Sequence, residues 1–269
     1  MKSGGAADVL ATFAVPRRVW AVAAIHADAT RLARLHRELE RRFLPGDRLV
    51  YLGNMIGGGG AVIETVDEIL RLRRVLLARP GMEPWDFAYV RGAQEEMWQK
   101  CLQLHYAVGP GEILEWMLRQ GLEATLRAYG GQPDQARQLL RQGAQAIARW
   151  TGSLREGMRR HPGHDELLGA VRRAAITEGG ELLFVSAGLD PARPLDSQGD
   201  AFWWGGGGFA ELAGPYGAFR QVVRGFDRAR GGVAIGAFKA SIDGGASNGG
   251  PLNAGCFDLE GRSIDWIEA

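Results

Sequence analysis

The first ninety residues alternate short apolar runs with amphipathic segments, and this alternation constrains the fold more than any other feature of the chain. The apolar runs Arg18–Ile25, Arg48–Leu52 and Asp86–Arg91 are predicted strands buried on both faces. Helices are predicted at 28–43, where Asp28 can serve as the N-cap, and at 61–79. Strands alternating with helices are typical of crossover β-α-β units, so the sequence predicts an α/β fold.

The rest of the chain divides into a helical part and a strand-rich part. Apolar residues recur at helical spacing from about 94 to 175, and short apolar runs separated by glycine or proline turns follow after residue 180. Because no helical segments separate these later runs, an antiparallel section is expected there. We expect a single domain over residues 1–269, with a helical insertion at about 94–175.

Composition limits the class of protein and its partners. The chain has 269 residues, of which 46% are hydrophobic and 23% charged, and its net charge is +1, so it is globular and poorly suited to nonspecific nucleic-acid binding. No apolar run approaches the ~20 residues that span a bilayer, so no membrane association is expected. Residues 6–15 are a poor leader, because Asp8 interrupts them. Two cysteines, Cys101 and Cys256, fit a reducing compartment, and a bacterial cytoplasmic location is expected.

Several common motifs are absent or weak. None of the three lysines follows a GxxxxG run, which excludes a P-loop. The glycine run at 205–210 follows three aromatic residues rather than a clean strand, which argues against a dinucleotide site. His161 and His164 have HxxH spacing, but a polar turn explains them better than a metal site.

Five segments, in order, resemble the calcineurin-like metallophosphoesterases, and most closely their protein Ser/Thr phosphatase and symmetrical diadenosine tetraphosphatase branch. The family blocks read GDIHG, GDxxDRG, GNHE, HAG and GH. The matching segments are Ala21–Ala27, Leu52–Gly60, Val90–Glu95, Phe184–Pro191 and Val222–Asp227. The resemblance runs from about residue 18 to 258 and is weaker across the helical stretch. It implies a four-layer α/β/β/α sandwich of two mixed sheets with helices on both outer faces.

The resemblance also implies a degenerate site. In the family, two metal ions held by carboxylates, imidazoles and an asparagine generate a hydroxide and clamp the phosphoryl oxygens. Of the six ligand positions, only His26 is unchanged, and Asn54 stands at the bridging aspartate. The other four positions are Ala24, Ala93, Ser186 and Phe226. The phosphate-binding arginine and the acid histidine are replaced by Gly58 and Gln94.

These replacements favour a catalytically impaired pseudo-phosphatase acting as a binding or regulatory module. Such a protein would take a phosphorylated small molecule, or a protein partner through helices 94–175. The alternative is a divergent active phosphoesterase, acting on a phosphoprotein or dinucleoside polyphosphate through His26, Asn54 and nearby carboxylates. A purely structural protein with a filled cleft is a third possibility.

The cofactor expectation follows from the same positions: none, or at most one divalent Mn, Fe, Zn or Mg ion. Four residues in or beside the family-like loops are the candidates for ligand binding. They are Arg91, Glu95, Asp190 and Arg224.

Overall fold

The computed structural model describes residues 10–269 and contains two mixed β-sheets. In chain order the strands are β1 (Leu10–Phe13), β2 (Arg18–Val22), β3 (Asp47–Tyr51), β4 (Phe87–Tyr89), β5 (Ala174–Thr177), β6 (Leu182–Val185), β7 (Gln221–Arg224), β8 (Ala234–Ile235), β9 (Lys239–Ser241), β10 (Asn253–Phe257) and β11 (Ser263–Glu268). One sheet has the order β1-β5-β6-β7-β9-β8 and the other β11-β10-β2-β3-β4. The predicted α/β class with two mixed sheets is confirmed.

The first β-α-β units form as the alternation predicts. The helices are α1 (Ala29–Arg42), α2 (Val62–Leu77), α3 (Ala93–Leu102), α4 (Pro110–Met117), α5 (Glu123–Ala128), α6 (Pro133–Leu140), α7 (Ala144–Arg159), α8 (His164–Gly169), α9 (Ala201–Trp204) and α10 (Gly208–Glu211). Helix α1 connects the parallel strands β2 and β3, and α2 connects β3 to β4. The regular elements between β4 and β5 are helical, which places α3 to α8 where the insertion is expected.

Side chains that alternate along β6 define the layers. Phe184 faces the other sheet, where its ring lies 6.4 Å from the ring of Phe257 in an edge-on contact. Leu183 and Val185 belong instead to an apolar cluster on the outer side, together with Phe202 of α9. Helices α1 and α2 bury their apolar faces against the β2–β4 sheet. The order of layers is therefore helix, sheet, sheet, helix.

The prediction of an antiparallel section after residue 180 is only partly correct. Strands β10 and β11 are antiparallel, as are β5 with β6 and β8 with β9. However, β6, β7 and β9 run parallel to one another. The chain between β6 and β7 is long enough to return to the starting edge through α9 and α10, which the sequence pattern does not reveal.

The structure also bears on the segment 6–15, on membrane-spanning helices and on the two cysteines. The segment 6–15 contains β1, which pairs parallel with β5, and its residues 6–9 lie outside the described part of the chain. Within residues 10–269, no helix is both long enough and apolar enough to cross a membrane. Cys101 and Cys256 are buried as free thiols.

Candidate functional site

The loops that follow β2, β3, β6 and β7 meet at one edge of the sandwich. The backbone N–H of His26 donates to the carbonyl of Asn54 at 2.7 Å, and that of Phe226 donates to the carbonyl of Ser186 at 2.9 Å. The rings of His26 and Phe226 lie edge-on with their centres 5.4 Å apart. The structure therefore brings these four family ligand positions together, as ligand sites in α/β sheets require.

The two alanine positions lie in the same place. Ala24 donates its N–H to the carbonyl of Gly225, one residue before the phenylalanine, at 3.0 Å. Ala93 is the first residue of α3, and the preceding Gly92 lies so close to Asn54 that a Cβ at Gly92 would collide with the Asn54 backbone nitrogen. All six family ligand positions thus surround one point of the fold.

The polar groups that remain here are buried and poorly satisfied. Among the described residues, His26 Nε2, Asn54 Nδ2, Gln94 Oε1 and Ser186 Oγ have no hydrogen-bond partner. Burial lowers the pKa of His26 to about 4, so its ring is neutral at physiological pH. Both His26 and Asn54 have left-handed backbone, with φ of 52° and 49°. Such conformations persist only where the surrounding structure determines them.

Glu95 joins the loop that follows β3 to the loop that follows β4. Its carboxylate is buried and accepts four backbone N–H groups, from Asn54 and Gly92 at one oxygen and from Met55 and Ile56 at the other, at 2.8–3.2 Å. Burial raises the pKa of Glu95, and these N–H donors oppose that rise. With both oxygens engaged by the backbone, Glu95 positions the loops and has no free face toward a ligand.

The helical segment 118–122 closes over the positions of the family's arginine and acid histidine. The Gln94 side-chain amide donates to the carbonyl of Gln120 at 2.7 Å, and the backbone N–H of Gly58 donates to the carbonyl of Gly121 at 3.1 Å. The Gln94 side chain also fills the space above Gly57, where a Cβ would collide with Gln94 Oε1. Sequence reasoning misses this contact, because it joins residues far apart in the chain.

The two candidate arginines are engaged by nearby side chains. Arg91 pairs with Glu96 at 3.0 Å, and its guanidinium carbon lies 5.6 Å from the ring centre of Trp203. Arg224 pairs with Asp227 at 2.7 Å. Burial lowers the pKa of Arg224, an effect that its carboxylate partner opposes. Each arginine therefore forms an ion pair with a carboxylate of the protein, and a phosphate ligand would have to compete with that carboxylate.

The carboxylates near the site stabilise loops. Asp190 pairs with Arg193 at 3.1 Å and accepts the N–H of Ala192 at 3.0 Å. Asp28 caps α1, as predicted, by accepting the N–H of Arg31 at 2.9 Å. Asp243 accepts backbone N–H groups at both of its oxygens. These bonds are typical of caps and turns rather than of metal ligands.

The remaining donors do not fit a two-metal centre. A bridging position requires a carboxylate, and Asn54 Oδ1 is neutral and already accepts the N–H of Gln94 at 3.1 Å. Ala24, Ala93 and Phe226 have no metal-binding atoms in their side chains. In the part of the chain that the structure describes, no three His, Cys, Asp or Glu side chains converge as a metal site would need.

A recess remains open on the outer side of His26. It has a volume of about 390 Å³ and is lined by the glycine loop 58–60 and by the first residues of α1. Thr30 and Ser247 add hydroxyl groups to its wall. Open space therefore remains beside the six ligand positions.

Known proteins resemble this chain in fold rather than in sequence. Neither a family model nor a curated protein sequence matches the chain. The crystal structure of a proposed diadenosine tetraphosphatase aligns with a TM-score of 0.56 and 17% identity, over 97% of this chain and 98% of that one. The crystal structure of a mutant cold-active protein tyrosine phosphatase aligns with a TM-score of 0.50 and 11% identity, over 100% of this chain and 85% of that one. These likenesses, together with the four layers and the converging loops, show that the chain has the calcineurin-like metallophosphoesterase fold.

Proposed function

We propose that this protein is a pseudo-phosphatase: it keeps the phosphoesterase-like fold, has lost the hydrolytic centre and acts as a binding or regulatory module. One observation carries the proposal. The loops at the carboxyl ends of the strands remain assembled around Glu95, while five of the six family ligand positions on them have been replaced. A fold held together in this way has no need of a metal to organise its loops.

The chemistry of the residual donors supports the loss of hydrolysis. Hard divalent cations bind through anionic oxygens, and changing even an outer-shell partner of a ligand costs about 10–100-fold in affinity or activity. Here the groups that would touch the metal are themselves replaced, and the one retained histidine lies against the phenyl ring of Phe226. A phenyl ring excludes both ions and the water that would become the nucleophile.

The closure by residues 118–122 supports the same conclusion. In the family pattern, an arginine at the position of Gly58 binds phosphate and a histidine at the position of Gln94 protonates the leaving group. Here both positions bond to the backbone of the helical segment. A phosphoryl group would therefore meet neither a fixed cation nor a general acid at these positions.

The recess beside His26 supports a binding role over a purely structural one. A purely structural protein would be expected to fill its cleft entirely, whereas about 390 Å³ remains open here. Such a volume lies within the usual range for small-molecule sites. The ligand class we propose for the protein is a phosphorylated small molecule, with helices 94–175 as the surface for a protein partner.

Turnover measurements test the proposal. Purified protein would be assayed on p-nitrophenyl phosphate and on diadenosine tetraphosphate with Mn²⁺, Fe²⁺, Zn²⁺ or Mg²⁺, beside His26→Ala and a control at a histidine outside the site, His105→Ala. We expect all three proteins to show the same background rate. Metal-dependent turnover that His26→Ala abolishes and His105→Ala preserves would contradict the proposal and establish the divergent phosphoesterase instead.

A further inference from the structure

A second cavity, of about 820 Å³, lies between strands at the edges of the two sheets. None of the six family ligand positions lines it. Strand β1 is the edge of one sheet and β4 the edge of the other, and residues of both line the cavity. Helices α2 and α8 complete its walls. Its volume is typical of sites that enclose a small ligand.

Three arginines make this groove electropositive. Arg73 and Arg74 come from α2 and Arg172 from the segment before β5, and within residues 10–269 none of them forms an ion pair with a carboxylate. Among residues 10–269, Glu166 is the one acidic residue in the lining. Guanidinium groups match phosphate and carboxylate oxygens through paired hydrogen bonds. The surplus of two cations therefore favours an anionic ligand.

An exposed aromatic ring stands beside these cations. Trp85 lines the groove and leaves 63% of its surface accessible. The tryptophan ring offers a large apolar face on which a planar group can stack. The Arg73 guanidinium lies 5.9 Å from the ring centre of Phe87, so cations and rings adjoin in this wall.

We propose that this groove binds a small ligand in which a phosphate group is joined to an aromatic ring. The ring stacks on Trp85, and the phosphate oxygens pair with the groove arginines. Nucleotides and phosphorylated aromatic amino acids share this chemistry. The proposal concerns residues away from the six family ligand positions and holds whether or not those positions support activity.

Calorimetric titration of the full chain with ADP and with O-phosphotyrosine tests the proposal and distinguishes the two sources. Adenosine and inorganic pyrophosphate serve as the separate halves of the first probe. We expect at least one of the two probes to bind. If that probe is ADP, it should bind more tightly than adenosine or pyrophosphate alone. Arg73→Gln should weaken that binding by about tenfold or more, because it removes a charge-assisted hydrogen bond. Trp85→Ala should weaken it by about two- to tenfold, because it removes the stacking contact.

Two matched variants show whether the probe occupies the groove or another part of the surface. Arg149 on α7 is exposed and lies outside the groove, so Arg149→Gln should bind like the wild type. His26→Ala should also bind normally. If His26→Ala abolishes binding while Arg73→Gln preserves it, the ligand occupies the recess beside His26, and this inference is overturned while the proposed function stands.

Failure of both probes to bind wild-type protein, or equal binding by Arg73→Gln and Arg149→Gln, would overturn the inference.

Discussion

Replacing Glu95 by alanine should destabilise the protein severely, because one side chain satisfies four buried backbone donors in two loops. Each buried N–H left without an acceptor costs about 1–3 kcal/mol, so four could cost about 4–12 kcal/mol. Water entering the space left by the side chain would recover part of this. We therefore expect a loss of at least about 4 kcal/mol in the free energy of unfolding, a large share of the ~5–15 kcal/mol that stabilises a typical domain.

Urea denaturation followed by circular dichroism measures this loss, and the neighbouring Glu96 provides a matched control. Glu96 is buried and accepts from Arg91 at 3.0 Å but holds no backbone N–H of the loops, so Glu96→Ala should cost less, about 1.5–3 kcal/mol. Glu95→Gln should fall between the two, because an amide keeps one accepting oxygen but presents its nitrogen to two N–H groups. Similar small losses for Glu95→Ala and Glu96→Ala would refute the loop-holding role.

Two further predictions concern packing and pH. Gly57→Ala should lower stability by more than the ~1–2 kcal/mol that a left-handed L-residue costs, because its Cβ also meets the Gln94 side chain. Adding Gln94→Ala should recover the part of the loss that comes from this collision. Additive losses of the two substitutions in urea denaturation would argue against the contact. Burial alone would raise the pKa of Glu68, but hydrogen bonds from Arg71 and His36 outweigh it and lower the pKa to about 2, from an ordinary 4.5. The stability that Glu68 contributes is therefore present above pH 4.5 and lost as the pH falls toward 2, so Glu68→Gln should flatten the stability profile measured across that range, and an unchanged slope would contradict this.

Local sequence signals predict much of the scaffold. The strand predicted at Arg48–Leu52 forms as β3 (Asp47–Tyr51), and Asp28 caps α1 as predicted. The segments that form β1 and β5 carry no clear strand signal, since both are short and alanine is common in them. These two strands pair with each other, so their stability comes from contact between distant parts of the chain rather than from local propensity.

The cluster of six family ligand positions is predictable in location but not in its internal bonding. The order of the family-like blocks places His26, Asn54, Ser186 and Phe226 together, because loops at the carboxyl ends of neighbouring strands share one edge of a sheet. The sequence identifies Glu95 as a candidate binding residue, whereas its carboxylate bonds to the backbone of the loops. No local pattern indicates which buried N–H groups a carboxylate will accept, because that depends on how the loops pack.

The direct test of the central claim is metal content. Protein produced in cells supplied with manganese, iron and zinc would be purified without chelators and analysed by plasma mass spectrometry, beside His26→Ala prepared in parallel. The account predicts substoichiometric metal that is equal in the two preparations. Two metal ions per wild-type chain, lost in His26→Ala, would contradict it.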